Sequence, residues 1–155
     1  MYKRILVAVD DSDISMQVLH EAINLSKEQK AKLRIVHVVD EYHVDYIGVG
    51  IDYVQLETSF KEYGKKVLNN MEEVARRSKV DFDSQLVELK AHSGRIPEKI
   101  IEVAKSWPAD LIVVGTHGRR GFHHLLLGSV AEGVVRIAHI PILLIRGKPT
   151  KKSKD

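Results

Sequence analysis

Cysteine is absent from this sequence of 155 residues. Its absence excludes a disulfide framework, a thiol nucleophile and a cysteine-based zinc site, and it is consistent with a reducing compartment. The amino terminus also lacks a basic segment followed by an apolar signal-like run, and no apolar run approaches the about 20 residues that span a bilayer. We therefore expect a cytoplasmic protein that makes no membrane contact.

Three motifs of catalysis and nucleotide binding are missing as well. The sequence has no Gly-x-Ser-x-Gly nucleophile elbow of the kind found in hydrolases, and no Walker A loop ending in Gly-Lys-Ser/Thr. The turn after the first apolar run, Val9-Asp10-Asp11-Ser12, contains no glycine, which argues against a Rossmann dinucleotide fingerprint. A phosphate site in this chain therefore needs another architecture.

What the sequence does contain is the composition of an ordinary globular domain, with 44% hydrophobic and 29% charged residues. The length suits a single domain, which we assign to residues 1–147. The formal net charge is +3, and much of the excess lies in residues 148–155, Lys-Pro-Thr-Lys-Lys-Ser-Lys-Asp. This basic tail lacks apolar periodicity, so we expect it to be disordered and solvated, and binding of nucleic acid by it is the less favoured alternative.

Short apolar runs alternate with amphipathic helical stretches along the chain. The runs predict five strands, at Ile5–Val9, Leu33–Val39, Leu86–Leu89, Leu111–Val114 and Ile142–Ile145. Helix starts are indicated by Ser12 or Asp13 as a cap, and by Pro97 in a first turn. The alternation predicts an α/β fold, a doubly wound parallel five-stranded sheet of order 3-2-1-4-5 with helices on both faces. Residues 40–53 show no period and predict a mobile loop.

A candidate ligand site lies at the carboxyl edge of this predicted sheet, because ligands of doubly wound sheets bind where the winding direction reverses. For this strand order the crevice is bounded by Val9-Asp10-Asp11 and by residues 115–118, Gly-Thr-His-Gly, whose glycines allow close backbone approach. Gly128-Ser129 opens the next helix, whose amides suit an anion, and Arg119 and Arg120 add positive charge. These parts predict a phosphate cradle; the alternative is ordinary loop glycines and a helix cap.

Carboxylates and histidines supply further candidates. Asp10 ends the first strand inside the predicted crevice and is interpreted as functional, whereas a capping or solvent-facing role is favoured for Asp11. His37 falls within the second strand and is predicted to be a packed core residue. His117 could line the pocket, although a catalytic role is not favoured. The adjacent pair His123-His124 would diverge on a helix, and no ligand spacing surrounds it, so we predict no dedicated zinc site.

The glycine spacing Gly115-x2-Gly118-x9-Gly128-Ser129 matches, at every fixed position, the nucleotide-binding signature of the ATP-binding branch of the universal stress protein family. The resemblance covers nearly the whole chain. Segments 2–12, 34–39, 109–118 and 141–145 resemble that family's first strand with its acidic turn, second strand, fourth strand and closing strand, in the same order. The resemblance implies an adenine nucleotide alpha hydrolase-like fold. It also implies bound ATP, or else AMP or ADP, accompanied by Mg²⁺ or Mn²⁺.

The resemblance further implies which residues contact the nucleotide. The backbone around Val38 would bind the adenine edge, beside Ala8 and Val9. Asp10 would face the ribose hydroxyls or a metal near the phosphates, and Gly115 would contact the ribose. The phosphates would be held by the backbone at Gly118, Arg119, Gly128, Ser129 and Val130.

Two positions depart from the expected pattern. Ala131 stands where the ATP-binding branch often has a hydroxyl residue near the terminal phosphates, so this chain is expected to hold the γ-phosphate less firmly or to prefer AMP or ADP. Gly133 lies inside a predicted helix, where glycine costs about 1 kcal/mol relative to alanine.

The last predicted strand, Ile142-Leu143-Leu144-Ile145, would expose unpaired backbone at the sheet edge. The resemblance implies that this edge forms a homodimer contact, and a covering loop is the alternative.

Three functions stay open. The leading one is a nucleotide-dependent regulatory switch in a stress response, and the second is a slow ATPase or phosphotransferase using the same pocket. The third is a dimeric binding module that holds no nucleotide. No convincing base or nucleophile is visible, which argues against rapid turnover.

Overall fold

Five parallel strands form the centre of the computed structural model, which describes residues 1–40, 53–90, 93–118 and 127–147. The strands are β1 Arg4–Val9, β2 Lys32–Asp40, β3 Phe82–Leu89, β4 Leu111–Gly115 and β5 Ile142–Ile145. The helices are α1 Asp13–Gln29, α2 Tyr53–Arg77, α3 Ile96–Ser106 and α4 Ser129–Ile137. The strand order is β3-β2-β1-β4-β5, and every neighbouring pair is parallel. The predicted doubly wound α/β fold is confirmed.

Several predictions from the sequence lie outside the described residues. These are residues 41–52 of the predicted loop, Arg119, the pair His123-His124 and the basic tail at 148–155. The loop was predicted over residues 40–53, but Asp40 ends β2 and Tyr53 begins α2. The division of the chain into a domain at 1–147 and a tail at 148–155 stays a prediction. In the part of the chain that the structure describes, no helix combines the length and apolar character that a bilayer crossing needs.

Helices cover both faces of the sheet and create two apolar cores. The first core lies between the sheet and helices α1 and α2, and its helical members include Val18, Leu19, Ile23, Leu68 and Met71. The second core lies beneath α3 and α4, and its members include Ile100, Ala104, Trp107, Ala131 and Val134. In β1, Ile5, Val7 and Val9 enter the first core and Leu6 the second, because successive side chains of a strand alternate between faces. Strand β1 is therefore buried on both faces, and its last residue, Val9, lies at the carboxyl edge of the sheet.

The edge strand β3 begins at Phe82, four positions before the predicted Leu86. Polar pairing rather than apolar alternation accounts for this extension. Arg34 of β2 donates two hydrogen bonds to Asp83, at 2.5 Å from Nε and 3.0 Å from Nη2, and its guanidinium lies 4.7 Å from the Trp107 ring centroid. Partial burial raises the pKa of the Asp83 carboxyl, but Arg34 and Lys32 outweigh it and hold that pKa below its ordinary value.

Gly133 of α4 has a packing reason to be glycine. A Cβ at this position would overlap Cγ of Pro97 and lie 2.7 Å from Cβ of Pro97, in the first turn of α3. The α4 backbone therefore rests directly on the proline ring. The sequence shows only that a residue with weak helix propensity stands inside a helix. The close contact between α3 and α4, which explains the glycine, is visible only in the structure.

Ser26 of α1 carries a buried hydroxyl without a hydrogen-bond partner among the described residues. The residue is 1% exposed, and an unpaired buried hydroxyl costs about 1–3 kcal/mol. Alanine removes that cost and also has the higher helix propensity. We expect Ser26→Ala to raise the free energy of unfolding by about 0.5–1 kcal/mol in urea denaturation.

The matched control for this substitution is Ser59→Ala in α2. Ser59 is exposed, and its hydroxyl donates to the carbonyl of Gln55 at 2.8 Å, so the control reports helix propensity without relief of a buried group. A gain at Ser26 that does not exceed the gain at Ser59 would contradict the burial argument.

Candidate functional site

The carboxyl ends of β1 and β4 lie side by side, as expected for neighbouring parallel strands of the sheet. The two strands are paired in register through Val7 and Val113. Beyond their ends, a Cβ on Gly118 would lie 2.9 Å from Oδ2 of Asp10. The chain that leaves β4 therefore returns to within contact distance of the turn that follows β1. This is the edge at which the sequence predicts a ligand.

The two glycine-containing segments of the predicted cradle are in direct contact. The amide of Gly128 donates to the carbonyl of Thr116 at 2.7 Å. A Cβ on Gly128 would lie 3.2 Å from that carbonyl oxygen and 3.6 Å from the amide nitrogen of Gly118. The amides of the first turn of α4 lack intrahelical acceptors, as at every helix start, and this turn begins beside Gly118.

Ser129 is not the N-cap of α4, which was the alternative to a role in the phosphate cradle. Gly128 occupies the N-cap position with extended backbone, and Ser129 is the first helical residue, with an exposed side chain. The Val130 side chain packs partly against the second core, and Ala131 is only 2% exposed within it. The alanine at position 131 therefore fills a place in the apolar core, where a hydroxyl group would be buried.

Asp10 is held in place by the start of α1. Its Oδ1 accepts hydrogen bonds from the Ser12 amide at 2.8 Å, from the Ser15 hydroxyl at 2.7 Å and from the Ser12 hydroxyl. The Asp10 amide in turn donates to the Ser15 hydroxyl at 2.8 Å. Ser12 is the N-cap of α1 by position, but its hydroxyl bonds to Asp10 and not to a helix amide. One oxygen of Asp10 is thus fixed, and Oδ2 is the oxygen nearest Gly118.

Asp11 has a partner that the sequence does not indicate. The hydroxyl of Tyr63 in α2 donates to its Oδ2 at 2.7 Å. Asp11 is exposed, in agreement with the predicted solvent-facing role, and Ser12 rather than Asp11 occupies the N-cap position of α1. Nothing in the sequence marks Tyr63 as a neighbour of the crevice, because the contact depends on how α2 lies against the sheet.

The residues predicted to surround adenine lie on neighbouring strands. Ala8 and Val9 end β1, and Val9 is in register with His37 of β2. Val38 follows in β2 and is 8% exposed. His37 is 2% exposed, and its Nδ1 lies 2.8 Å from the carbonyl of Val9, so Nδ1 carries the proton. The prediction of a packed core histidine is confirmed, and the ring also fixes the end of β1.

His117 leaves part of its hydrogen-bonding capacity unused. Its Nδ1 lies 2.9 Å from the hydroxyl of Thr116, whereas its Nε2 is buried and has no hydrogen-bond partner among the residues that the structure describes. Thr116 itself is buried, and its amide donates to the carbonyl of Ile145 at 2.9 Å. The loop after β4 is therefore anchored to β5 while retaining one unused polar atom.

Within residues 1–40, 53–90, 93–118 and 127–147, no group of three or more His, Cys, Asp or Glu side chains is arranged to hold a metal ion. Asp10 is the carboxylate closest to Gly118 in the predicted cradle. A single carboxylate suits a cation that is held mainly by phosphate oxygens.

These features define a class: a small doubly wound α/β protein with two glycine-containing segments in contact at its switch point. The model of the universal stress protein family matches residues 1–146. Universal stress protein MJ0531 of Methanocaldococcus jannaschii is 34% identical over 154 residues, which cover 98% of this chain and 86% of that protein. The chain belongs to the universal stress protein family.

Solved structures agree with this assignment. A universal stress protein family structure from Burkholderia pseudomallei is 32% identical, with a TM-score of 0.73, and the match covers 93% of this chain and 96% of that one. The universal stress protein from Archaeoglobus fulgidus in complex with dAMP shares the fold at 24% identity and a TM-score of 0.66, over 92% of this chain and 97% of that one.

Proposed function

We propose that this chain binds an adenine nucleotide between the ends of β1 and β4 and acts as a nucleotide-dependent regulatory switch in a stress response. The observation that carries the proposal is the convergence of two glycine segments, with Gly128 bonded to Thr116 and Gly118 against Asp10. Backbone amides of this kind at a helix start favour phosphate. The fold shared with a protein that holds dAMP supports adenine as the base.

The phosphates are assigned to the backbone at Gly118, Gly128, Ser129 and Val130, and Arg119 remains a predicted contributor outside the described residues. Gly115 is assigned to the ribose. The adenine is assigned to the backbone around Val38, beside Ala8 and Val9. Ala8 and Val9 lie on β1, Val38 lies on β2, and Gly115 ends β4. We infer a switch because nucleotide binding at this edge would change the surface that the protein offers to a partner protein.

Asp10 fits as one ligand of a divalent cation that enters with the nucleotide. Its Oδ1 is occupied by Ser12 and Ser15, whereas Oδ2 is the oxygen nearest Gly118. Mg²⁺ is commonly bound through one or two carboxylates together with phosphates, and it would neutralise part of the negative charge of the carboxylate and the phosphates. Mg²⁺ or Mn²⁺ is therefore the expected companion of ATP or ADP.

The nucleotide is identified by denaturing the purified protein and analysing the released ligand by mass spectrometry, followed by calorimetry with ATP, ADP, AMP and adenosine. Co-purified adenine nucleotide, or its binding in calorimetry, is the expected result. Absence of both would contradict the proposal and favour the dimeric module without nucleotide.

Single-turnover assays with radiolabelled ATP test the enzyme alternative. Phosphate release well above that of Gly118→Val would favour a slow ATPase or phosphotransferase over a switch.

We also propose that β5 forms a homodimer contact, through Ile142, Leu143, Leu144 and Ile145. Among the described strands β5 pairs only with β4, and Leu143 is 36% exposed. Val135 of α4, the helix that precedes β5, is 46% exposed. Unpaired backbone flanked by exposed apolar side chains favours pairing with a second copy.

Leu143→Glu is expected to weaken dimerisation by about tenfold or more, because a charge would be buried at the contact. Sedimentation equilibrium provides the measurement. Val54→Glu, at a 71% exposed position in α2, is the matched control and should leave the dimer unchanged. A wild-type chain that stays monomeric at high concentration, or a Leu143→Glu dimer of undiminished affinity, would contradict the assignment.

A further inference from the structure

The chain leaves the sheet at the same edge at which the nucleotide is proposed to bind. Strand β5 is parallel to β4, and Ile145 is in register with Gly115, so both strands end at the carboxyl edge. A Cβ on Gly147 would lie 3.2 Å from Cδ1 of Ile14, and a Cβ on Gly115 would lie 3.3 Å from the same atom. Gly147, the last residue that the structure describes, is therefore a near neighbour of the end of β4.

Hydrogen bonds connect this exit point to the predicted cradle. The Thr116 amide donates to the carbonyl of Ile145 at 2.9 Å, and the Gly128 amide donates to the carbonyl of Thr116 at 2.7 Å. Contacts and chain segments of these lengths place Gly147 within roughly 20 Å of Gly128. The exit point is thus attached to the hydrogen bonds that join the two glycine segments.

The turn that follows β1 makes this edge acidic. Three of the four residues 10–13 are aspartates. Oδ2 of Asp10 is 2.9 Å from the position of a Cβ on Gly118. Because carboxylates this close to a phosphate repel it, cations at this edge would strengthen the binding of polyphosphate. The basic tail, residues 148–155, has one acidic side chain and four cationic ones, which are Lys148, Lys151, Lys152 and Lys154.

We propose that the lysines of the basic tail bind the phosphates of the nucleotide held in the cradle of the same chain. The tail lies outside the described residues, but an extended chain spans about 3.3–3.6 Å per residue, so eight residues from Gly147 are long enough to reach Gly128. The inference rests on the proposed nucleotide site and adds a second group of phosphate ligands to it. Attraction by the lysines grows with the charge of the ligand, so ATP gains most, AMP less and adenosine nothing.

Glutamine at the four lysine positions of the tail, in the full chain, tests this assignment. Exposed charges interact weakly in water, so we expect the Kd of ATP to rise about three- to tenfold and that of AMP to rise less, with adenosine unchanged. Isothermal titration calorimetry gives the three values at about 0.1 M salt and at about 1 M salt. At the higher salt the Debye length is about 3 Å, and the difference between variant and wild type should nearly vanish. Arginine at the same positions should preserve ATP affinity, because it keeps the charge.

A matched control changes the net charge equally at the opposite, amino edge of the sheet. It replaces by glutamine four exposed lysines that precede β1 or lie at the ends of α1, α2 and α3, namely Lys3, Lys27, Lys79 and Lys105. The six residues of β1 separate the two edges by about 20 Å, which is about two Debye lengths at 0.1 M salt. This control should therefore bind ATP as the wild type does.

Three results would overturn the inference while leaving the proposed function intact. The first is unchanged ATP affinity in the tail variant. The second is an equal loss in the amino-edge control, which would show that net charge acts and not the position of the tail. The third is an equal loss for ATP and adenosine, which would show that the tail supports the fold. A wild-type chain that binds no adenine nucleotide overturns both proposals, and circular dichroism confirms that folded variants are compared.

Discussion

Gly118→Val is expected to abolish adenine-nucleotide binding while the protein remains folded. A Cβ at this position would already lie 2.9 Å from Oδ2 of Asp10. That carboxylate cannot readily withdraw, because its other oxygen accepts hydrogen bonds from Ser12 and Ser15. The valine methyl groups would therefore fill the space in which the phosphates are proposed to lie. We expect ATP affinity to fall by at least about 100-fold in calorimetry, equivalent to about 2.7 kcal/mol.

Gly118→Ala provides a graded comparison for this prediction. Gly118 does not have the positive φ that makes a side chain strained, as Gly94 does at 109°, so the added atoms act by occupying space. Alanine should reduce ATP affinity less than valine. Thermal unfolding should show that both variants are folded at the assay temperature, with some loss of stability from the contact with Asp10. Valine at position 118 with full ATP affinity would show that the ligand binds elsewhere.

The position of the candidate site could be predicted from the sequence because an alternation of strands and helices is compatible with only a few sheet topologies. Right-handed crossovers and short connections determine which strand ends become neighbours, so Asp10 and Gly118 could be expected at one edge before any distance was known. Glycine spacing then marked the segments that approach each other. The hydrogen bond from Gly128 to Thr116 confirms this contact between segments that are separated along the chain.

What the sequence could not predict is how the helices lie against this edge. Tyr63 contacts Asp11, and the next residue, Gly64, lies directly against Val39; no periodic pattern in the sequence encodes either contact. The start of β3 was missed for a related reason. Its first residues are polar and are held by Arg34 across the strands, so alternation of apolar residues, the usual signal of a strand, is weak there.

Gly133→Ala shows why local propensity can point in the wrong direction. In an isolated helix, this change would stabilise by about 1 kcal/mol. In the folded protein, the new methyl group would overlap Cγ of Pro97 and lie 2.7 Å from its Cβ, and a proline ring cannot rotate away. Forcing extra volume into such a contact typically costs about 1–3 kcal/mol, so we expect a net loss of about 1–2 kcal/mol in the free energy of unfolding.

A double-mutant cycle isolates this contact from the backbone effects of glycine. Pro97→Gly removes the ring and provides a background in which the added methyl group at position 133 meets no obstacle. In that background Gly133→Ala should be neutral or stabilising by up to about 1 kcal/mol, because helix propensity alone then acts. The measurement is urea denaturation of the four proteins. Stabilisation of the wild-type background by Gly133→Ala would contradict this explanation. It would mean that α3 and α4 can move apart at no cost in free energy, so that packing on Pro97 does not require glycine at position 133.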